Sequence, residues 1–226
     1  MRRIGYVLCY NEKTKIADWA SYHLTDSFLS GGYVKRTEDF RPDLDVPQGK
    51  RSELVDYKGS GFDRGHLVPA GDMVRSERTM SESFLLTNMA PQVGRGFNRG
   101  IWKYLEEKVR HWAIERRNIY VITGPLYLDR EGRRITDASQ VMAIGPDKVW
   151  VPTHFYKIVV SVGSSLQDLD AIAFILPDAS NPSNRLSAFI VSIKEIERLS
   201  GLDFVHDLED TIESALESKK AQAIWE

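Results

Sequence analysis

The spacing of apolar residues along the chain predicts both strands and helices. Aromatic and β-branched residues over 5–10 and 19–24 predict two strands, which the polar stretch 11–18 joins as a hairpin. The same pattern predicts further strands at 84–87, 119–122, 148–151, 155–162, 171–176 and 188–191. We expect the strand at 119–122 to cross the centre of the sheet and to be stopped by Gly124-Pro125.

Helical spacing is clearest over 98–116, where apolar residues recur at steps of three and four. This buried stripe consists of Ile101, Trp102, Leu105, Val109 and Trp112. Asn98 stands at the predicted N-terminal end, where asparagine is a favoured cap. Shorter helices are predicted at 75–83 and 192–199, the second ended by Gly201, and a charged helix is predicted at 207–222.

Together these elements predict an α+β fold with a central antiparallel β-sheet flanked by helices. No low-complexity linker divides the 226 residues, so we expect a single domain over 1–226. The segment 30–60 is rich in glycine, proline and charge, which predicts a long ordered loop. Loops of that length in compact domains are usually functional.

The net charge of −2 argues against a protein that coats nucleic acid through bulk electrostatics. A local basic patch is nevertheless allowed, and ten basic residues that could form it fall in the first hundred positions. These are Arg36, Arg41, Lys50, Arg51, Lys58, Arg64, Arg75, Arg78, Arg95 and Arg99. Acidic residues are denser near the end of the chain, so the charge distribution is asymmetric.

Cys9 is the single cysteine, which excludes an intramolecular disulfide and a disulfide-stapled scaffold. The apolar run after Met1-Arg2-Arg3 is too short for a signal peptide, and no segment approaches the length of a membrane span. We therefore expect no membrane partner. The compartment is left open, as is the prior removal of a leader.

The stretch 61–70 carries the strongest candidate for catalysis. Arg64 and His66 are one glycine apart, which puts a permanent cation beside a side chain that titrates near neutrality. This pair suits proton abstraction next to a phosphate, although a turn histidine bonded to its own loop also fits the tetrapeptide. The histidines outside this stretch lack polar company, and we expect structural or surface roles for them.

Three ordered motifs extend this candidate. Asp63-Arg64-Gly65-His66 is followed by Thr87-Asn88-Met89-Ala90-Pro91-Gln92, and then by Asn98-Arg99-Gly100-Ile101-Trp102 with Leu105-Glu106. In order and spacing they resemble the DNA/RNA non-specific endonucleases that have a ββα-metal centre, especially the mitochondrial endonuclease G branch. The resemblance covers nearly the whole chain. It implies a metal finger built from a strand with His66, a strand ending at Asn88 and a helix starting at Asn98.

The resemblance also implies roles for the central residues. His66 is expected to be the general base. Asn98 is expected to be the single direct ligand of a hydrated Mg²⁺, with Mn²⁺ as a substitute, and Glu106 is expected to hold that ion through water. One neutral amide oxygen suits Mg²⁺, which gives up its water reluctantly. The alternative for Glu106 is an exposed partner of Arg110, one helical turn further on.

The remaining roles concern the phosphate and the support of the site. Arg64 is expected to contact the scissile phosphate, and either Arg36 or Arg41 is expected to add a second cation. Asn88 is expected to hold the geometry around His66 or the metal waters, or else to be an ordinary turn asparagine. Two further arginines, Arg95 and Arg99, are expected to bind substrate. Asp63 is expected to be a buried brace.

The implied activity is Mg²⁺- or Mn²⁺-dependent endonucleolytic hydrolysis of DNA and RNA, single- or double-stranded, leaving 5′-phosphate ends. No base-reading module is visible, so contacts should fall on the nucleic-acid backbone. An inactive binding or structural module of the same fold and a phosphodiesterase for small nucleotides stay as alternatives. Family members are secreted, periplasmic or mitochondrial, and many are homodimers. For such a dimer Trp225 is the expected exposed aromatic.

Overall fold

A computed structural model describes residues 1–30, 33–165, 168–183 and 185–226, and within them ten strands and six helices. The strands are β1 Val7–Asn11, β2 Ile16–Thr25, β3 Asp63–His66, β4 Met89–Gln92, β5 Asn118–Leu126, β6 Ala143–Ile144, β7 Val149–Trp150, β8 His154–Ser161, β9 Asp170–Pro177 and β10 Ile190–Val191. The helices are α1 Asp26–Leu29, α2 Leu54–Tyr57, α3 Glu77–Glu82, α4 Lys103–Arg116, α5 Ile193–Ser200 and α6 Asp210–Ser218.

Six of these strands form the central sheet in the order β1-β2-β5-β8-β9-β10, and every neighbouring pair is antiparallel. Helices cover both faces, so the predicted α+β architecture with a central antiparallel sheet is confirmed. β1 and β2 form the predicted hairpin, although the strands reach further into the polar stretch than expected. β5 lies inside the sheet, as its β-branched sequence predicts.

The prediction that Gly124-Pro125 stops β5 is wrong, because the strand runs on to Leu126. β2 pairs with β5 only as far as Thr123, whereas β8 continues to pair with it through Pro125 and Leu126. Proline is tolerated in a strand where one side has no partner for the missing N–H. Gly124 fits there because a side chain would collide with the Asp18 carbonyl oxygen.

Three other predicted strands differ from the structure. The run 84–87 makes only one bridge, between Arg41 and Leu85, and then enters a 3₁₀ turn, so β4 begins after Asn88 instead of ending at it. Residues 148–151 contribute to the local β6–β7 hairpin outside the central sheet. Of 188–191 only Ile190 and Val191 are extended. Short apolar runs are ambiguous because burial alone does not fix their backbone conformation.

The predicted helix over 98–116 is regular only from Lys103 onward. Gly94–Trp102 form an irregular helical turn, in which Arg95, Gly96 and Gly100 have non-helical backbone angles. From Lys103 the helix buries Leu105, Val109 and Trp112, as its spacing predicts. The three other predicted helices are present as α3, α5 and α6, with shorter bounds for α6.

The faces of the central sheet carry separate apolar layers, and β8 shows why. Its alternate residues Phe155 and Val159 face the layer that contains α4, whereas Tyr156, Ile158 and Val160 face the layer that contains α5 and α6. This alternation follows from the two-residue period of a strand. The candidate site lies on the α4 side, supported by a strand that is buried on both faces.

Residues 33–60 are largely irregular, with α2 as the one helix among them, and residues 31 and 32 of the predicted long loop lie outside the described residues. In the ranges that the structure describes, no helix is long and apolar enough to cross a membrane. The expectation that Trp225 is exposed is wrong. Its ring packs edge-on against Trp112 at 5.4 Å, and Arg116 lies over it at 3.8 Å, because the chain returns to the end of α4.

Candidate active site

The strands β3 and β4 form a two-stranded ribbon that places His66 opposite Met89 and Asp63 opposite Gln92. Alternate residues of a strand share a face, so Arg64 and His66 point to the same side of the ribbon. Gly65 between them is required by packing, because a side chain there would collide with the buried side chain of Gln92. The ribbon is followed by the irregular turn and α4, which completes a ββα unit.

A cavity of about 370 Å³ lies between this ribbon, the irregular turn and α4. The sequence-predicted residues that line it are Arg36, Arg64, His66, Asn98, Arg99 and Glu106. Lys103 and Arg110 add two further cations to the wall. Residues that are up to 74 positions apart in the chain, Arg36 and Arg110, therefore meet around one space. The predicted residues Asn88, Arg41 and Arg95 are not among those that line it.

His66 is held between two aromatic rings and is only 9% exposed. The ring centroids of Phe40 and Phe84 lie 5.7 and 4.9 Å from that of His66, both edge-on. Burial, with a smaller contribution from the charge of Arg36, lowers the pKa of His66 to about 3. Nε2 is buried and has no hydrogen-bond partner in the described part of the chain. The imidazole is therefore neutral over the physiological range and can accept a proton.

Asn98 is oriented by a hydrogen bond to the opposite side of the ribbon. Its Nδ2 donates to Asp63 Oδ2 at 2.9 Å, and Arg99 Nε lies 3.0 Å from the same carboxylate oxygen. Because Nδ2 is held by Asp63, the amide oxygen Oδ1 faces away from that carboxylate. No residue in the described ranges donates a hydrogen bond to Oδ1. Asp63 is half-exposed, so the expectation that it is buried is wrong.

Glu106 lies one turn into α4 and lines the same cavity. Burial raises its pKa to about 7, and the nearby charge of Lys157 acts in the opposite direction. The alternative role as a partner of Arg110 does not match the structure, because Arg110 pairs with the fully buried Asp72 at 2.8 Å. Tyr22 donates a second hydrogen bond to Asp72 at 2.7 Å. The carboxylate of Glu106 is thus left available to the cavity.

Lys157, which was not among the predicted site residues, lies beneath the site on β8. Its Nζ is fully buried, 4.5 Å from the centre of the Trp102 ring, and has no hydrogen-bond partner among the described residues. Burial lowers its pKa to about 8, and the charge of Glu106 opposes that shift. The one sequence signal for it is the single cation inside the apolar run 155–162, which was not read as part of a site. Asp72 had no comparable signal.

The structure separates the two arginines that the sequence left as alternatives. Arg36 lines the cavity, with its guanidinium 4.8 Å above the ring of Phe84. Arg41 instead binds Asp39 Oδ2 at 2.7 Å and the Ser81 carbonyl oxygen at 3.0 Å. Arg64 lies 4.2 Å above the ring of Phe40, at the mouth of the cavity.

Asn88 is completely buried and all its polar contacts are to backbone. Its Oδ1 accepts from the Val68 amide at 3.0 Å, and its Nδ2 donates to the carbonyl oxygens of Val68 and Ser83 at 2.9 and 2.8 Å. The side chain therefore holds the chain just after His66 in place. Arg95 is exposed on the irregular turn.

The donor set fits a hydrated magnesium ion. Asn98 offers one neutral amide oxygen, and Glu106 offers a carboxylate at the same cavity. Mg²⁺ retains several waters and is usually bound through one or two protein oxygens together with substrate phosphate. The wall also carries one lysine and four arginines, namely Lys103, Arg36, Arg64, Arg99 and Arg110, and such cations suit an anionic ligand.

The family model, the relatives and the solved structure that match this chain are all nucleases. The family model "DNA/RNA non-specific endonuclease" matches residues 1–211. Nuclease C1 of Cunninghamella echinulata var. echinulata is 42% identical over 92% of this chain and 83% of its own length. Mitochondrial endonuclease G of Homo sapiens is 38% identical over 91% of this chain and 69% of its own length. A crystal structure of an EndoG/EndoGI complex superposes with a TM-score of 0.84 at 35% identity, over 92% of this chain and 86% of that one.

Proposed function

We propose a mechanism for this chain on the premise that it belongs to the DNA/RNA non-specific endonuclease family. The protein is accordingly a nuclease that cuts within DNA and RNA without reading their sequence. The observation that carries the mechanism is the meeting, around one cavity, of a neutral histidine, an oriented amide and several cations. Several relatives are named mitochondrial nucleases, and we propose a mitochondrial location as one option.

In this mechanism His66 acts as the general base. Its neutral ring takes a proton from a water molecule as the water oxygen attacks phosphorus. The new bond is between water oxygen and phosphorus, and the bond that breaks joins phosphorus to the 3′ oxygen. The leaving 3′ oxygen takes a proton from solvent, so the products are a 5′-phosphate and a 3′-hydroxyl, and the proton gained by His66 returns to solvent. The Phe40 and Phe84 rings keep the imidazole neutral between turnovers.

Cations counter the charge on the phosphate. Arg64 and Arg36, which line the cavity, would bind its non-bridging oxygens, and Arg99 would extend this surface. Arg95 and Arg41 would serve phosphates further along the strand. Asn98 would hold the metal directly and Glu106 would hold it through water. When bound there, Mg²⁺, or Mn²⁺ in its place, supplies positive charge to the leaving oxygen.

Cleavage assays test the mechanism directly. Circular DNA and single-stranded RNA would be incubated with the protein in Mg²⁺ and in chelator. The variants are His66→Ala, Asn98→Ala and, as a control on the exposed side of α4, His111→Ala. We expect the first two to reduce the rate by about 10²-fold or more, because each group acts mainly in the transition state. His111→Ala should cleave at the wild-type rate.

Two results would contradict the proposal. Cleavage by the wild type in chelator at the Mg²⁺ rate would remove the metal from the mechanism. Cleavage by His66→Ala at the rate of His111→Ala would remove His66 as the base.

A further inference from the structure

A second groove opens beside the catalytic cavity and shares part of its wall. It has a volume of about 610 Å³, and Arg36, Arg64, Asn98 and Arg99 line both spaces. Its other lining residues are Phe40, Leu54, Tyr57, Lys58, Phe62 and Asp63. The two spaces therefore form one continuous surface around the residues that we assign to the phosphate.

The lining of this groove combines apolar and aromatic side chains with a cationic rim. Phe62 is half-exposed, and Leu54 is 39% exposed on the short helix α2. Lys58 joins the shared arginines at the rim. Asp63 is the one acidic residue that lines the groove, and Asn98 and Arg99 already bind its carboxylate. The net character is thus apolar surface surrounded by positive charge.

The backbone before Phe62 is shaped to present this side chain. Gly59 and Gly61 have φ angles of 71° and 85°, in the left-handed region that side chains with a Cβ rarely adopt. Space around both glycines is open, so their role is conformational and does not relieve crowding. The turn leads directly into β3, which carries Arg64 and His66. An aromatic ring is therefore fixed close to the proposed scissile phosphate.

We propose that this groove is a subsite for one unstacked nucleotide adjacent to the scissile phosphate, with its base against Phe62 and Leu54 and its phosphate at the arginine rim. The inference rests on the proposed function and adds a substrate class to it. Bases inside a duplex are stacked on their neighbours and cannot offer a face to Phe62, whereas a single strand can. The volume lies within the range of small-ligand pockets, which is enough for a nucleotide. The preferred substrate is accordingly single-stranded or locally unpaired DNA or RNA.

The test compares one sequence in two forms. kcat/KM is measured on a fluorogenic single-stranded oligonucleotide and on the matching duplex, for wild type, Phe62→Ala, Phe62→Trp and Leu54→Ala. Tyr120→Ala is the control, because this tyrosine is 44% exposed on β5 outside both spaces. We expect Phe62→Ala to lower kcat/KM on the single strand roughly 5- to 150-fold, the equivalent of one lost stacking contact, and on the duplex less than about twofold.

The other two variants test the groove independently of Phe62→Ala. Phe62→Trp should cleave the single strand with a kcat/KM close to that of the wild type, because it keeps an aromatic ring. Leu54→Ala should lower kcat/KM less than Phe62→Ala does, and again more on the single strand than on the duplex. If Phe62→Ala does not fold, Leu54→Ala and Phe62→Trp still report on the subsite. An equal loss on both substrates, or no loss on either, would overturn the subsite. A wild type that cuts neither substrate in Mg²⁺ would instead overturn the proposed function.

Discussion

His66 and Glu106 line the same cavity, and burial moves their pKa values in opposite directions. In both cases the dominant cause is removal from water, which disfavours the charged form. For His66 this favours the neutral base at any pH above about 3. For Glu106 it favours the protonated acid below about 7. The acid limit of the reaction should therefore come from the carboxylate, although histidine is the residue usually associated with that range.

We expect the cleavage rate to fall as the pH is lowered through 7, because protonated Glu106 no longer accepts hydrogen bonds from the metal waters. Higher Mg²⁺ should move this limb to lower pH, since a nearby cation stabilises the carboxylate. Lys157→Met should move it to higher pH, because the cation opposing the shift is removed. The measurement is a pH–rate profile at several Mg²⁺ concentrations. If the rate instead falls only near pH 3 and this fall does not depend on Mg²⁺, the acid limit belongs to His66.

The irregular turn Gly94–Trp102 sets the position of Asn98. The sequence predicted the residues of this turn but not its backbone conformation. The motif identified Asn98, and the spacing of Ile101, Leu105 and Val109 correctly predicted which face is buried. The break before Lys103 depends on Gly96, which adopts φ 88° and lies against the Ser180 carbonyl oxygen. That contact joins positions 84 apart, so local helical spacing carried no information about it. Likewise the Lys157–Glu106 proximity depends on sheet topology.

Gly96→Ala tests the importance of this turn. A side chain at position 96 would be strained by the positive φ and would collide with Ser180 backbone. We expect the unfolding free energy to fall by about 2 kcal/mol or more and cleavage to fall at least tenfold, because Asn98 would be displaced. Gly132→Ala is the matched control, with φ 75° and open space, and should cost about 1 kcal/mol without loss of activity. Denaturant unfolding and the cleavage assay measure both. Equal activity of the two variants would contradict this role.

At the scale of the molecule, the α4 layer joins the active site to the end of the chain. Trp112 on α4 packs with Trp225 and donates from Nε1 to the Trp225 carbonyl oxygen at 3.0 Å. Trp225 was expected to be an exposed aromatic that a dimer could bury, because nothing in the local sequence pairs it with Trp112, 113 residues earlier. A homodimer stays a proposal, and this side chain is not available to form it.

Trp225→Ala should therefore affect stability and leave assembly unchanged. Removal of a buried indole costs about 3 to 5 kcal/mol in unfolding free energy. We expect that loss in denaturant unfolding, together with the same sedimentation coefficient as the wild type at temperatures where both are folded. Tyr120→Ala, at an exposed aromatic, should change neither quantity by much. A shift of the Trp225→Ala variant alone to a smaller species would place Trp225 in a subunit interface after all.

The hydrogen bond from Asn98 to Asp63 has a consequence for the order in which the active complex assembles. It commits Asp63 to the amide and to Arg99, so the metal would meet an uncharged oxygen in a wall that already carries Arg36, Arg64 and Lys103. Glu106 supplies at most one negative charge at this cavity, so the remaining charge that balances a divalent ion would come from the nucleic acid. Ion and polymer each raise the affinity for the other by the same factor, as thermodynamic linkage requires. In the proposed mechanism the nucleic acid therefore also recruits the metal. Without nucleic acid, the protein would bind the metal only weakly.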